Sequence, residues 1–186
     1  MRPLQPPVIS PSDDGVVLRP FDTGDVEMLC DLATDPYVPL IGSLPAYATE
    51  QQALEYIGRQ LSRWETGVGY SFCVADLDSG SALGTAGLWI RDLAVGRGSA
   101  GYTVAPSARR RGVAARALRA LTTFGWTLPE LFRIELYVEP WNLGSLRAAE
   151  AVGYQCEGLL RSHQPIGERR ADMYLYARLR TEDARP

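Results

Sequence analysis

The chain predicts a single α+β domain whose elements run β-α-α-β-β-β-α-β-α-β-β. Three observations carry that reading. At 186 residues, 46% of them apolar, it is long enough to bury one core and too short for two full-sized modules. Apolar residues recur with the helical period in some segments and alternate with period two in others. The strands come in runs instead of alternating strictly with helices.

Residues 1–14 carry Pro3, Pro6, Pro7 and Pro11 with few apolar anchors and read as an extended lead-in to a domain spanning 15–182. Val16, Val17 and Leu18 make a short strand. Asp22 or Thr23 then caps a helix whose Val26, Leu29, Cys30 and Ala33 fall at helical spacing. From Thr34 to Tyr47, Pro36, Pro39, Gly42 and Pro45 are interleaved with Tyr37, Val38, Leu40, Ile41 and Leu44. That is loop chemistry with enough apolar content to pack down on the domain. Thr49 opens a second helix, with Ala53, Leu54, Ile57, Leu61 and Trp64 on one face and Gly67 beyond its end.

From Tyr70 the period changes to two. YSFCVADL, the turn DSGS and ALGTAGLWIRDL form an antiparallel hairpin, and GSAGYTVAP adds a strand that Pro106 stops. Val113, Ala117, Leu118, Leu121, Phe124 and Leu128 mark a long helix. RIELYVEP is the next strand, a short helix runs from about Leu143 to Val152, and YQCEGLLRS and RRADMYLYARL are the last two strands. His163, beside Gln164, Pro165, Ile166 and Gly167, is expected in a hairpin loop.

Composition narrows the function. Nineteen basic residues, all arginine, against 22 acidic ones leave a net charge of −3, which gives no general attraction to nucleic acid or to an anionic membrane. Without lysine there is neither a Schiff-base lysine nor a P-loop lysine. One histidine and three separated cysteines, Cys30, Cys73 and Cys156, cannot supply the close ligand pairs of a zinc site. No apolar run is long enough to cross a membrane, and MRPLQPPVISP lacks the features of a secretory leader. The expectation is a cytoplasmic protein with no metal, no nucleic-acid partner and no membrane association.

The chemistry concentrates between Tyr102 and Ala115, YTVAPSARRRGVAA. A strand ends at Val-Ala-Pro and a helix opens after Gly112. The glycine lets backbone approach a ligand, and the unpaired first-turn N–H groups of Val113, Ala114 and Ala115 point outward at the positive helix end, where a pyrophosphate fits. Arg109, Arg110 and Arg111 oppose the helix dipole unless an anion lies nearby.

This strand followed by Arg109-x-x-Gly112-x-Ala114 resembles the acyl-CoA-binding motif of the GNAT N-acetyltransferases. Pro140, Asn142, Ser145, Glu150, Gly153 and Tyr154 resemble the second cofactor motif in the form used by RimJ/RimL-like members, and VVLRPF and DMYLYARLR fit the same subgroup. The resemblance covers about residues 16–180. It implies a GNAT fold, a mostly antiparallel seven-stranded mixed sheet flanked by helices, and acetyl-CoA as acyl donor in a cleft between the fourth and fifth strands. On the fourth strand the edge at Tyr102, Thr103 and Val104 would pair with the pantetheine arm, and the Val104 N–H would polarise the thioester carbonyl. Residues 110–115 would hold the pyrophosphate, Asn142 would bond the pantetheine side, and Ser145 would lie near the sulfur. An amine-bearing small molecule or a protein N-terminus would be the acceptor, and a homodimer is compatible with the family.

Two departures from the family pattern bear on catalysis. Ala149 stands where many members have the tyrosine that protonates the leaving thiolate, so Ser145 is the expected general acid. Ser99 stands where RimJ/RimL-like sequences often have a glutamate, which leaves the base open among a water held by Ser99, Asp92, Glu135 and the neutral fraction of the substrate. These departures motivate an alternative, a non-catalytic acyl-CoA sensor; another donor such as succinyl-CoA is a further one. For the acceptor, Tyr37, Trp89, Tyr137, Tyr47 and Trp141 are candidates, with the stretch 35–47 and the 164–168 hairpin tip as the segments that choose it.

Overall fold

A computed structural model describes residues 3–183. In chain order the elements are β1 (Ser12–Asp13), β2 (Val16–Arg19), α1 (Val26–Leu32), α2 (Val38–Ile41), α3 (Glu50–Thr66), β3 (Gly69–Asp76), β4 (Ala82–Trp89), β5 (Arg97–Val104), α4 (Val113–Gly125), β6 (Arg133–Val138), α5 (Leu143–Ala151), β7 (Gln155–Ile166), β8 (Arg169–Leu179) and α6 (Arg180–Asp183). They build one mixed sheet of order β1-β2-β3-β4-β5-β6-β8-β7. Every neighbouring pair is antiparallel except β5 and β6.

Three sequence expectations are corrected. The sheet has eight strands instead of seven, because Ser12 and Asp13, inside the lead-in, pair with Val17 and Val16. The stretch from Thr34 to Tyr47 contains a helical turn, α2, which places Pro39 in the first turn of a helix, where its missing N–H costs nothing. His163 is not in a loop: β7 continues to Ile166, and the turn is only Gly167 and Glu168. An edge strand tolerates Pro165, since its N–H side can face solvent, and two register shifts in β7 absorb the irregular sequence.

The two faces of the sheet are covered differently. On one, α4 packs Leu118, Leu121 and Phe124 against the core with Leu88 and Ile134. On the other, α1 and α3 bury Leu29, Leu32, Ala53 and Ile57. Thr49 and Gln52 cap α3 reciprocally, and Gly67 ends it in the left-handed conformation. A smaller apolar cluster of Ile166, Ala171 and Met173, with Tyr37 and Tyr137 against it, ties the β7–β8 hairpin to the loop that carries α2.

Candidate active site

The parallel pairing in the sheet is short. β5 and β6 are in register from Arg97–Arg133 to Ser99–Glu135, whereas β5 runs on to Val104 and β6 to Val138. Beyond Ser99 the two strands part, and the β5 edge is open. Its polarity follows from its pairing with β4. Ala105 N–H donates to Leu83 O at 3.0 Å, and Thr85 lies opposite Thr103 and Gly87 opposite Gly101. In an antiparallel ladder hydrogen-bonded pairs alternate with non-bonded ones, so Gly101, Thr103 and Ala105 turn their backbone groups to β4. Tyr102 and Val104 turn theirs into the cleft. Of the expected edge residues, Thr103 thus contributes a side chain instead: its Oγ1 lies 2.7 Å from Thr85 Oγ1.

At the end of β5 the chain forms the cradle. Arg110, with φ +61°, and Gly112, with φ +72°, both adopt left-handed conformations, and α4 begins without a side-chain cap or an acidic residue in its first turn. A Cβ on Gly112 would meet nothing nearer than Arg116 Nε at 3.9 Å, so the space above the helix start is open. The first in-helix bond is from Arg116 N–H to Gly112 O at 3.3 Å. The N–H groups of Val113, Ala114 and Ala115 have no partner among the described residues, which leaves three donors available at the positive end of the helix. The three arginines divide. Arg109 is drawn away, its Nε donating to Val104 O at 3.1 Å and its Nη2 to Asp35. Arg110 and Arg111 are exposed and make no ion pair among the described residues.

Across the cleft, α5 starts at Asn142, whose Oδ1 accepts from Ser145 N–H at 3.1 Å. Asn142 is therefore the helix cap as well as a cleft residue. The Tyr102 hydroxyl donates to Ser145 O at 3.4 Å, spanning from β5 to α5; burial pushes this phenol up. Ala149 is fully buried, so no side chain larger than its methyl group reaches the cleft from that position.

On the α3 side of the sheet the cleft opens into a cavity of about 250 Å³. Its walls include Asn142, Ser145 and Thr103 with Tyr37, Trp89 and Tyr137. Gly87 and Gly101, opposite one another on β4 and β5, make its flat floor. A Cβ on Gly101 would lie 3.0 Å from Trp89 Cζ3, and one on Gly87 3.1 Å from Trp89 Cη2, so the indole lies against bare backbone. The Tyr37 ring meets Trp141 edge-on at 4.9 Å. Tyr47 is 79% exposed and does not line the cavity. Of the expected selecting segments, α2 and its flanks line the cavity through Val38, Ile41 and Leu44. The hairpin tip does not, although Gly167 packs on Leu40.

The candidate bases lie next door. Ser99, Asp92 and Glu135 line a neighbouring groove, with Trp89 and Tyr137 shared between groove and cavity. Glu135 accepts from Arg133 Nε at 2.6 Å and from the Tyr137 hydroxyl at 2.8 Å. Burial and that carboxylate push the Tyr137 phenol up to about 12. His163 stacks on Tyr137 at 4.8 Å, the rings 10° from parallel.

The residues that sequence reading missed are Gln60, Arg63 and Ser71, all in the cavity wall; of the four acidic residues the sequence offers for convergence near the acceptor, Asp35, Asp92, Glu135 and Glu139, only Glu139 lines this cavity. Gln60 carried a signal: it falls on the buried stripe of α3 with Ala53 and Ile57, and a polar residue there needs a polar neighbour. Ser71 Oγ donates to Gln60 Oε1 at 2.9 Å. None of the three free cysteines lines either cavity: Cys73 is fully buried, Cys30 half-buried and Cys156 exposed. Burial pushes the Cys73 thiol up, away from the thiolate form. Among the described residues no group of His, Cys, Asp and Glu could hold a metal ion, and no helix is long and apolar enough to cross a membrane.

Comparison with known proteins agrees with this geometry. Residues 16–155 match the family model described as an acetyltransferase (GNAT) domain. The chain is 28% identical over 169 residues to the uncharacterized N-acetyltransferase p20 of Bacillus licheniformis, covering 91% of this chain and 95% of that protein. Its fold is similar to that of Mycobacterium smegmatis RimJ in complex with CoA-disulfide, with a TM-score of 0.78, 23% identity and coverage of 90% and 83%. It is also similar to RimL, a ribosomal L7/L12 alpha-N-protein acetyltransferase in complex with coenzyme A, with a TM-score of 0.77, 17% identity and coverage of 92% and 97%.

Proposed function

The chain belongs to the GNAT acetyltransferases, and from that premise we propose that it transfers acetyl from acetyl-CoA to a primary amine by direct attack, with donor and acceptor held together in the cleft. The observation that carries the reading is the continuity of three features: the open backbone edge of Tyr102 and Val104, the uncapped start of α4, and the cavity that meets them at Asn142 and Ser145. An extended amide-bearing arm that ends in a pyrophosphate fits the first two.

The residues fit that donor. Val113, Ala114 and Ala115 offer N–H groups to phosphate, with Arg110 and Arg111 as surface charge. Tyr102 offers a donor and an acceptor to the pantetheine arm, as an added strand does, while Val104 O already accepts from Arg109 Nε, and Asn142 borders the sulfur end. Bound there, acetyl-CoA supplies an activated thioester, whose C–S bond breaks as the acceptor's C–N bond forms. The Val104 N–H polarises the acyl carbonyl, and Ser145 returns a proton to the sulfur directly or through water. From a neutral amine the proton balance closes internally, since the nitrogen loses the proton that the thiolate gains. Most of the acceleration comes from holding the two reactants in one cleft. The absence of a cysteine from the cavity walls favours direct attack over a covalent acyl-enzyme.

The test is thiol release from acetyl-CoA and from succinyl-CoA across a panel of amino acids, amines and peptide N-termini, with mass spectrometry of the acceptor. Amine-dependent release matched by acetylated product is the expected result. Binding of acetyl-CoA without transfer to any amine would favour the sensor reading.

A further inference from the structure

The cavity wall holds two buried polar atoms that the fold leaves without partners. Gln60 and Glu139 are each 2% exposed, and among the described residues Gln60 Nε2 and Glu139 Oε2 have no hydrogen-bond partner. A buried polar atom of this kind is costly unless something else satisfies it. Both residues line the same cavity of about 250 Å³, and they differ in what they seek: the amide nitrogen is a donor and the carboxylate oxygen an acceptor.

Charge sorts with them. Arg63 lies one helical turn from Gln60 on α3, lines the cavity and packs over the Trp89 ring at 5.5 Å. It makes no ion pair among the described residues, and burial lowers its pKa, with Arg91 adding to that. That side of the cavity is donor-rich, positive and without an anion. On β6's side of the cavity, Glu139 Oε1 accepts from Arg169 Nη2 at 2.6 Å, while Tyr37 and Trp141 are the polar neighbours of its carboxylate. As an ionised carboxylate, Glu139 is a partner for an amine N–H. Glu139 O in turn accepts from Asn142 N–H at 2.9 Å, which ties this side to the cleft where the acyl group would be delivered.

On the basis of the acetyltransferase reading above, we propose that the acceptor is a free amino acid. Its carboxylate pairs with Arg63 beside Gln60, and its amino group lies toward Glu139 and Asn142. Arg63 is the specificity residue, since a guanidinium with no anionic partner among the described residues matches a carboxylate better than the neutral carbonyl of a peptide N-terminus. The aromatic and aliphatic walls, Tyr37, Val38, Ile41 and Leu44, take the side chain.

The test compares acceptors that differ only in the carboxylate. Thiol release from acetyl-CoA is measured with each of the twenty amino acids, with their amides, with the corresponding decarboxylated amines, and with dipeptides. The expected result is at least one amino acid with kcat/KM about tenfold or more above its amide, its decarboxylated amine and its dipeptides, the scale of one charge-assisted contact. Arg63→Met, which keeps most of the stem, should raise KM for that amino acid about tenfold and change kcat/KM for its decarboxylated amine less than about twofold. Equal use of the decarboxylated amines or the dipeptides would overturn the proposal, as would an Arg63→Met variant that affects all acceptors alike. Stabilisation by acetyl-CoA with no amino acid accepted would overturn this proposal alone. Absence of any stabilisation by acetyl-CoA would overturn the acyl-CoA reading and this one with it.

Discussion

Substitution of Gly112 separates two roles that the cradle assigns to one residue. Its φ of 72° and ψ of 6° lie in the left-handed region, where an L side chain costs about 1–2 kcal/mol. No clash adds to that cost, because the nearest atom to an added Cβ would be 3.9 Å away. Gly112→Ala should therefore lower stability by about 1 kcal/mol, or about 2–4 °C in Tm for a chain of this length. Asparagine enters the left-handed region more readily, so Gly112→Asn should lose less in the free protein. Ligand binding reverses the order. With coenzyme A at about 100 times its Kd, the wild type gains about 2.7 kcal/mol, or roughly 5–10 °C. The larger asparagine side chain stands in the open space over the N–H groups of Val113 to Ala115 and should abolish that gain, whereas alanine should reduce it. A thermal-shift titration with coenzyme A reads both effects on the same samples. If Gly112→Asn retained the full ligand-induced shift, the glycine would serve only the turn, and the helix start would not be where phosphate binds.

Asn142→Ala removes the α5 cap and should cost about 1 kcal/mol in a denaturant titration, with a weaker response to acetyl-CoA in addition. Ser145→Ala should lower kcat by about 10²-fold while leaving acetyl-CoA binding, measured by calorimetry, unchanged; an unchanged kcat would remove the hydroxyl from the proton path. Gly101→Ala puts a methyl group 3.0 Å from Trp89 Cζ3 and should raise the acceptor KM through the displaced indole, with the acetyl-CoA-induced Tm shift retained. Stability should also fall in acid. Burial raises Asp35 and Glu139, but Tyr37 N–H and Arg109 at the first, and Tyr37, Arg169 and Trp141 at the second, outweigh it and hold both below the ordinary carboxylate range. Arg133 holds Glu157 down likewise. A lowered folded-state pKa stabilises above the unfolded value and loses that contribution as pH falls through the folded one. Tm should thus hold from pH 7 to about 5 and drop below about pH 4, and a flat Tm through that range would contradict these pairings.

What the sequence disclosed was what local pattern determines. The helical stripe of α3 is set by the face it buries, β3 and β4, buried on both faces, were legible from β-branched and aromatic content between turn residues, and the turn at Gly112 was legible because a glycine there stands between an arginine run and an apolar helix. The acceptor cavity was not legible in the same way. Its floor requires Gly87 and Gly101 to be opposite one another, a matter of strand register, and its donors come from α3, whose distance from β6 no spacing reveals. Asn142 is legible as the α5 cap because it precedes Leu143, and the structure also places it in the cleft wall. Arg109 did not follow its neighbours to the cradle, because Asp35, in a distant loop, takes its guanidinium. His163 was assigned to a loop from Pro165 and Gly167, and an edge strand with irregular register carried it instead.

The central claim is that acetyl-CoA adds to the open edge of β5, and residue-resolved amide hydrogen exchange tests it most directly. Gly101 and Thr103 already donate to β4, whereas Tyr102 and Val104 face the cleft. Addition of acetyl-CoA should slow exchange at Tyr102 and Val104, together with Val113 to Ala115 at the cradle, and leave Gly101 and Thr103 little changed. No change at Tyr102 and Val104, or equal protection at all four β5 positions, would contradict strand-like pairing of the donor on this edge.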